Sequence, residues 1–177
     1  ALLARHERRE RSPLVDATLF RNPVYAWGLA AGMLSYVAMF SQTLLTPFYL
    51  SQVKELTAGR LGMMLTAVPL SLAVVAPLSG RLSDRYGSRW LCLAGMALLA
   101  LGLGSLAMSG SGDSLPSVAA RLGLAGAGMG LFQSPNNSAI MGTLPRERLG
   151  SGGGTLATAR NLGMVLGVAL SGALFAT

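Results

Sequence analysis

Charge is scarce in this chain. Only 12% of its 177 residues are Asp, Glu, Lys or Arg, against roughly 25% in soluble domains. The net charge of +7 does not indicate nucleic-acid binding, because the basic residues sit in short segments between apolar runs. Nucleic-acid binders gather them into one stripe with aromatic platforms. A single cysteine, Cys92, excludes an internal disulfide and is expected to be a buried, inert thiol. The single histidine, His6, lies in a hydrophilic stretch, so no Ser-His-Asp relay or metal cluster can be assembled. Gly126-Ala127-Gly128-Met129-Gly130 has the look of a dinucleotide loop, but no strand precedes it and no acid follows at the required distance. The sequence therefore leads us to expect no enzyme, no metal and no cofactor.

Long uncharged runs take the place of charge. Residues 61–80 and 90–112 carry none, and about 20 apolar residues in a helix cross a bilayer. With 51% hydrophobic residues and a mean hydropathy of +0.51, the expected fold class is all-α, a polytopic transmembrane helix bundle. Five spans are expected, at about 24–50, 58–82, 90–108, 115–143 and 151–177. Pro47 should kink or finish the first, Pro69 and Pro77 lie inside the second, and Pro116 suits the first turn of the fourth. The third is nearly featureless and reads as a peripheral, lipid-facing helix. Ser109–Ser114 reads as a plain flexible turn. Residues 1–23 read as a cytoplasmic connector after a truncated helix, since Ala1-Leu2-Leu3-Ala4 looks like the last turn of an apolar helix. Residues 24–177 then form a partial bundle, and the chain is expected to be a fragment.

Arginine and lysine are distributed by side. Residues 1–23 hold five, 80–89 three and 145–150 two, whereas the alternate loops hold only Lys54 and Arg60. Five spans entering from the inside put every strongly basic loop on one face, which the positive-inside rule makes cytoplasmic. The expected localisation is multi-pass in a bacterial inner membrane, with the lipid bilayer as partner.

The segment Gly80-Arg81-Leu82-Ser83-Asp84-Arg85-Tyr86-Gly87-Ser88-Arg89 is a charged island between two uncharged runs, expected to be a tight turn. Its Gly80, Leu82, Asp84, Arg85, Gly87 and Arg89 resemble the loop signature of the major facilitator superfamily, while Ser83 and Ser88 depart from it. Three further strings resemble that superfamily's fourteen-span drug:proton antiporters: Pro13 to Asn22, Gly130 to Asn137, and Arg160 to Ala169. The resemblance implies a partial major facilitator fold, the C-terminal half of a proton-coupled exporter of drugs or other amphiphilic small molecules working by alternating access. It also implies a cytoplasmic gating loop of Gly80, Asp84, Arg85, Gly87 and Arg89. Two alternatives stay open: a non-transporting helical membrane module, such as an assembly or sensor partner, and an importer of small solutes on the same fold.

Polar residues inside the spans are the candidates for a substrate pathway. Gln42, Gln133, Asn136, Asn137 and Asn161 carry amides that lipid does not satisfy, and Arg121 and Arg160 carry charge there. Arg160 lies near the membrane surface if its helix starts near Thr155, and deeper if it starts at Leu149. Gly126 and Gly130, with Gly163 and Gly167, are the small residues expected to let helices approach closely. No span interior holds Asp, Glu or His. If protons are the coupling ion, their carriers are expected in a missing N-terminal half.

Overall fold

The computed structural model describes residues 17–175. A 3₁₀ turn, Ala17–Arg21, leads to α1 (Pro23–Phe48), whose first turn is capped by Asn22: its Oδ1 accepts the Val24 N–H at 3.0 Å. Then come α2 (Ala58–Leu65), α3 (Ala67–Tyr86), α4 (Ser88–Ala107), α5 (Leu115–Gly142), a 3₁₀ turn at Arg146–Arg148, and α6 (Leu149–Phe175). Among the described residues, five stretches are long and apolar enough to cross a membrane: Pro23–Val53, Ala58–Tyr86, Ser88–Ala107, Leu115–Gly142 and Arg146–Leu174. Most of the connector, His6 included, lies outside the described residues, as do Ala176 and Thr177.

Prolines set the local irregularities. Pro47 does not end the first span. The chain instead continues into a π-helical turn, Tyr49–Val53, before Glu55 takes a left-handed φ of 49°. The second span is broken at Thr66, three residues before Pro69, whose ring would clash with the Leu65 carbonyl in an unbroken helix. The charged island is not the tight turn the sequence suggested. Helix α3 runs through Gly80 and Asp84 to Tyr86, and the reversal is made at Gly87, with φ 82° and ψ 155°. A residue with a Cβ resists that conformation. One left-handed residue is enough to reverse the chain, so the helix has no reason to stop earlier.

The core runs along the bundle in three layers. At the basic end, Tyr25 and Leu29 of α1 pack with Ile140, Leu144 and Leu156. Tyr36 and Met39 meet Leu99, Ala125 and Met129 midway. At the other end, Leu50 packs with Val118 and Leu122. Helix α5 is the hub, packed on α3, α4 and α1, while α6 packs on α1.

Glycine makes these contacts close. A Cβ on Gly163 would lie 2.5 Å from the Met33 carbonyl oxygen, and one on Gly167 2.5 Å from that of Val37, so α6 rides directly on the α1 backbone. Gly126 faces the Val68 carbonyl, and a Cβ on Gly130 would lie 3.2 Å from Ala76 N. Helix α4 is less featureless than its composition implied. Leu91, Gly95, Leu99 and Gly102 form one buried stripe, with Gly95 and Gly102 against the backbone of Phe132 and Ala125. Its opposite face leaves Trp90, Leu93 and Leu101 open, as do Leu70, Val74 and Leu78 of α3. Apolar exposure on this scale suits lipid contact.

Candidate functional site

Three helices bring polar groups together at mid-depth. Tyr36 lies 13 residues beyond Pro23 on α1, Gln133 lies 9 before Gly142 on α5, and Arg160 lies 11 beyond Leu149 on α6. At 1.5 Å per residue these are about 14–20 Å from the basic end, the middle of a hydrocarbon core about 30 Å thick. Helix α6 does start at Leu149, which gives Arg160 its deeper position. Tyr36 is 7% exposed. Its hydroxyl accepts a hydrogen bond from Gln133 Nε2, and the Arg160 guanidinium lies over its ring, 5.0 Å from the centroid. Tyr36 was missed in the sequence, although a hydroxyl-bearing aromatic deep in an uncharged run was the available signal.

The energetics of Arg160 are unequal. A charged Arg at a helix centre costs about 2.5–3.5 kcal/mol on insertion scales, and a cation–π contact returns roughly 0.5–2 kcal/mol. No carboxylate among the described residues lies within 4.0 Å of Arg160. The ring offsets part of the cost only.

The remaining candidates separate. Asn136, 5% exposed, donates from Nδ2 to the Gly28 carbonyl at 3.1 Å and so ties α5 to α1 about one turn nearer the basic end than Gln133. Asn137 beside it is half-buried, and Asn161 is exposed on α6. Gln42 donates to Thr46 Oγ1 at 3.3 Å within α1, while its buried Oε1 has no partner. It lines a cleft of about 400 Å³ between the far ends of α1 and α4, with Ser41, Thr46, Tyr49 and Leu103. That cleft is separate from the Tyr36 cluster.

Arg121 belongs to a different assembly. Its guanidinium donates to Asp113 Oδ2 at 2.8 Å and to Ser109 Oγ at 2.6 Å. The 109–114 segment is accordingly not the plain flexible turn its composition suggested. Lys54 Nζ donates to the Ser111 and Asp113 carbonyls at 2.8 and 2.5 Å, and Tyr49 Oη to Gly110 O at 2.9 Å. These bonds join both loops at this end. The Asp113 carboxyl is held below its ordinary value of 3.8, first by the Gly110 N–H and then by the Arg121 hydrogen bond, with slight desolvation opposing.

At the basic end Asp84, Arg85, Gly87 and Arg89 are exposed, and Gly80 packs on Ser134. Among the described residues Asp84 makes no ion pair within 4.0 Å, and Arg89 rests 5.9 Å from the Trp90 ring centroid.

The sequence profile of the Major Facilitator Superfamily matches residues 3–168. The chain belongs to the Major Facilitator Superfamily. It is 34% identical over 175 residues to the riboflavin transporter RibZ of Clostridioides difficile (strain 630), covering 99% of this chain and 38% of that protein. It is 37% identical over 158 residues to the uncharacterized transporter YebQ of Escherichia coli (strain K12), covering 89% and 35%. It is 35% identical over 176 residues to the multidrug resistance protein Stp of Mycobacterium tuberculosis (strain H37Rv), covering 99% and 33%. These relatives are named as transporters or resistance proteins, not enzymes, and the chain spans about a third of their length. Membership in this superfamily and five apolar spans make it an integral, multi-pass membrane protein.

Proposed function

We propose that this chain is part of the C-terminal half of a secondary active transporter that exports amphiphilic small molecules from bacterial cells by alternating access. The observation that carries this reading is the Tyr36–Gln133–Arg160 cluster, a polar junction of three helices at mid-depth in a superfamily of transporters. Transporters of this kind place their sites near the midplane and rock one half against the other. Gln133, Arg160, Asn136 and Asn137 are the proposed pathway residues. Gln42 and Asn161 are secondary candidates, and Arg121 is assigned to the loop clamp. Proton coupling is proposed to use carboxylates beyond the described residues, because no described span interior holds an acid or histidine.

Exposed Asp84 and its arginines are proposed as a cytoplasmic latch that pairs in one state of the cycle and lies open in another. The test is ethidium retention in cells expressing the full-length protein. Asp84→Asn should slow efflux several-fold at unchanged membrane abundance, and a protonophore should abolish efflux in the wild type. Undiminished efflux by Asp84→Asn at normal abundance rejects the latch, and protonophore-insensitive efflux rejects the coupling. A second reading, transport of a planar metabolite, is favoured by the relative named as a riboflavin transporter. Riboflavin uptake without ethidium efflux would select it.

A further inference from the structure

We infer that Arg160, seated on Tyr36, is a receiving site for a carboxylate that the described residues do not supply. Four acids are described: Glu55, Asp84, Asp113 and Glu147. All stand in loops or at helix ends, and Asp113 is engaged by Arg121. Glu147, nearest to Arg160 in sequence, is 13 residues away, about 20 Å along a helix. Arg160 is also held in place. Gly163, one turn on, pins α6 against Met33 and the Tyr36 Cβ, and Gln133 fixes the Tyr36 hydroxyl from α5. A guanidinium carries a fork of donors suited to a carboxylate. One guanidinium N–H also serves the Tyr36 side chain, but the group carries five N–H donors, so others remain for an incoming anion.

This placement bears on ligand class. Arg160 already occupies the face of Tyr36 that would attract an organic cation, and its charge repels one. An amphiphile bearing a carboxylate, or a conjugated anion, gains at the same place. The counter-ion has two possible sources, a carboxylate on the transported molecule or an acid elsewhere in the full-length protein. The ligand-borne source rests on the transport reading. The site itself does not.

The test is thermal unfolding of the purified full-length protein with benzoate or its uncharged isostere benzamide, at matched ionic strength. With a ligand-borne carboxylate, benzoate raises Tm above the benzamide value by about 2–4 °C. Arg160→Gln abolishes that rise and Arg160→Lys keeps part of it. With a protein-borne carboxylate, benzoate and benzamide act alike. Arg160→Gln then lowers Tm by about 2–4 °C or more, because one partner of a buried pair is left alone. Neutralising the matching acid outside residues 17–175 restores it. The inference is overturned if the benzoate effect survives Arg160→Gln. It is equally overturned if benzoate equals benzamide while Arg160→Gln leaves Tm unchanged, or lowers it without rescue by any neutralised acid. Melting requires no transport, so failed ethidium efflux would reject export of that cation and leave this result standing.

Discussion

Two arginines inside the spans meet opposite fates. Arg121 sits six residues into α5, close enough to the helix end for its guanidinium to reach Asp113 and Ser109. Arg160 sits eleven residues beyond the start of α6, where its partner is the neutral Tyr36 side chain. The first charge is matched and fastens two loops. The second is only partly compensated, at the junction of three helices. The same side chain is a fastener where a carboxylate is within reach, and a group awaiting a partner where none is.

The comparison breaks most completely if α6 is lifted from α1. Gly163→Val places new carbons where Gly163 now meets the Met33 carbonyl and the Tyr36 Cβ. Overpacking of this kind costs about 1–3 kcal/mol, occasionally more, and backbone on both sides leaves little room to relax. Membrane abundance of the full-length protein should fall several-fold, and Arg160 should lose its seat. Gly154→Val on the same helix, where an added Cβ would meet no neighbouring helix within 4 Å, should keep normal abundance. Equal abundance of the two variants would show that α6 does not depend on this contact.

A smaller loss is expected from Asp113→Asn, which leaves Arg121 without its counter-ion. Tm should fall, and adding Arg121→Gln should lower it little further, since the two residues act as one unit. The pH dependence has a definite sign. The folded carboxyl titrates below its ordinary 3.8, so its contribution is fully present above that value and is lost as pH falls through the lower folded value. The Tm gap between wild type and Asp113→Asn should be constant at neutral pH and close only in acid below 3.8. A gap that closes near neutrality would mean another group controls the clamp.

Much of the fold was legible because its signals are strong and local. Runs without charge mark the spans, and the 80–89 string with the 130–169 segments marks the superfamily. Signals that depend on a partner were not legible. Asp113 looked like an ordinary turn residue because Arg121 and Lys54 meet it only after the loops fold together. Gly95 and Gly102 looked like composition because their meaning lies in the α5 backbone they touch. Nothing in the sequence singles out Ser41 or Ser79. In the fold, Ser41 Oγ donates to Gly167 O at 3.0 Å and Ser79 Oγ to Leu131 O at 2.8 Å, each across a helix pair. The island misled because glycine at 80 and at 87 suggests two bends, whereas Gly80 lies within a helix against Ser134 and Gly87 makes the turn.

The finest contrast lies within Tyr36, between its ring and its hydroxyl. Tyr36→Phe keeps the face beneath Arg160 and removes the acceptor for Gln133. A neutral hydrogen bond contributes about 0.5–1.5 kcal/mol net, so Tm of the full-length protein should fall by a few degrees at most. Tyr36→Leu removes both and leaves Arg160 without the quadrupole that faces it, so its loss should be larger. If Tyr36→Phe falls as far as Tyr36→Leu, the hydroxyl and not the ring is what holds the cluster. Arg160 would then owe its position to α6 packing at Gly163 rather than to the aromatic face, and its charge would stand still less compensated than the ring contact suggests.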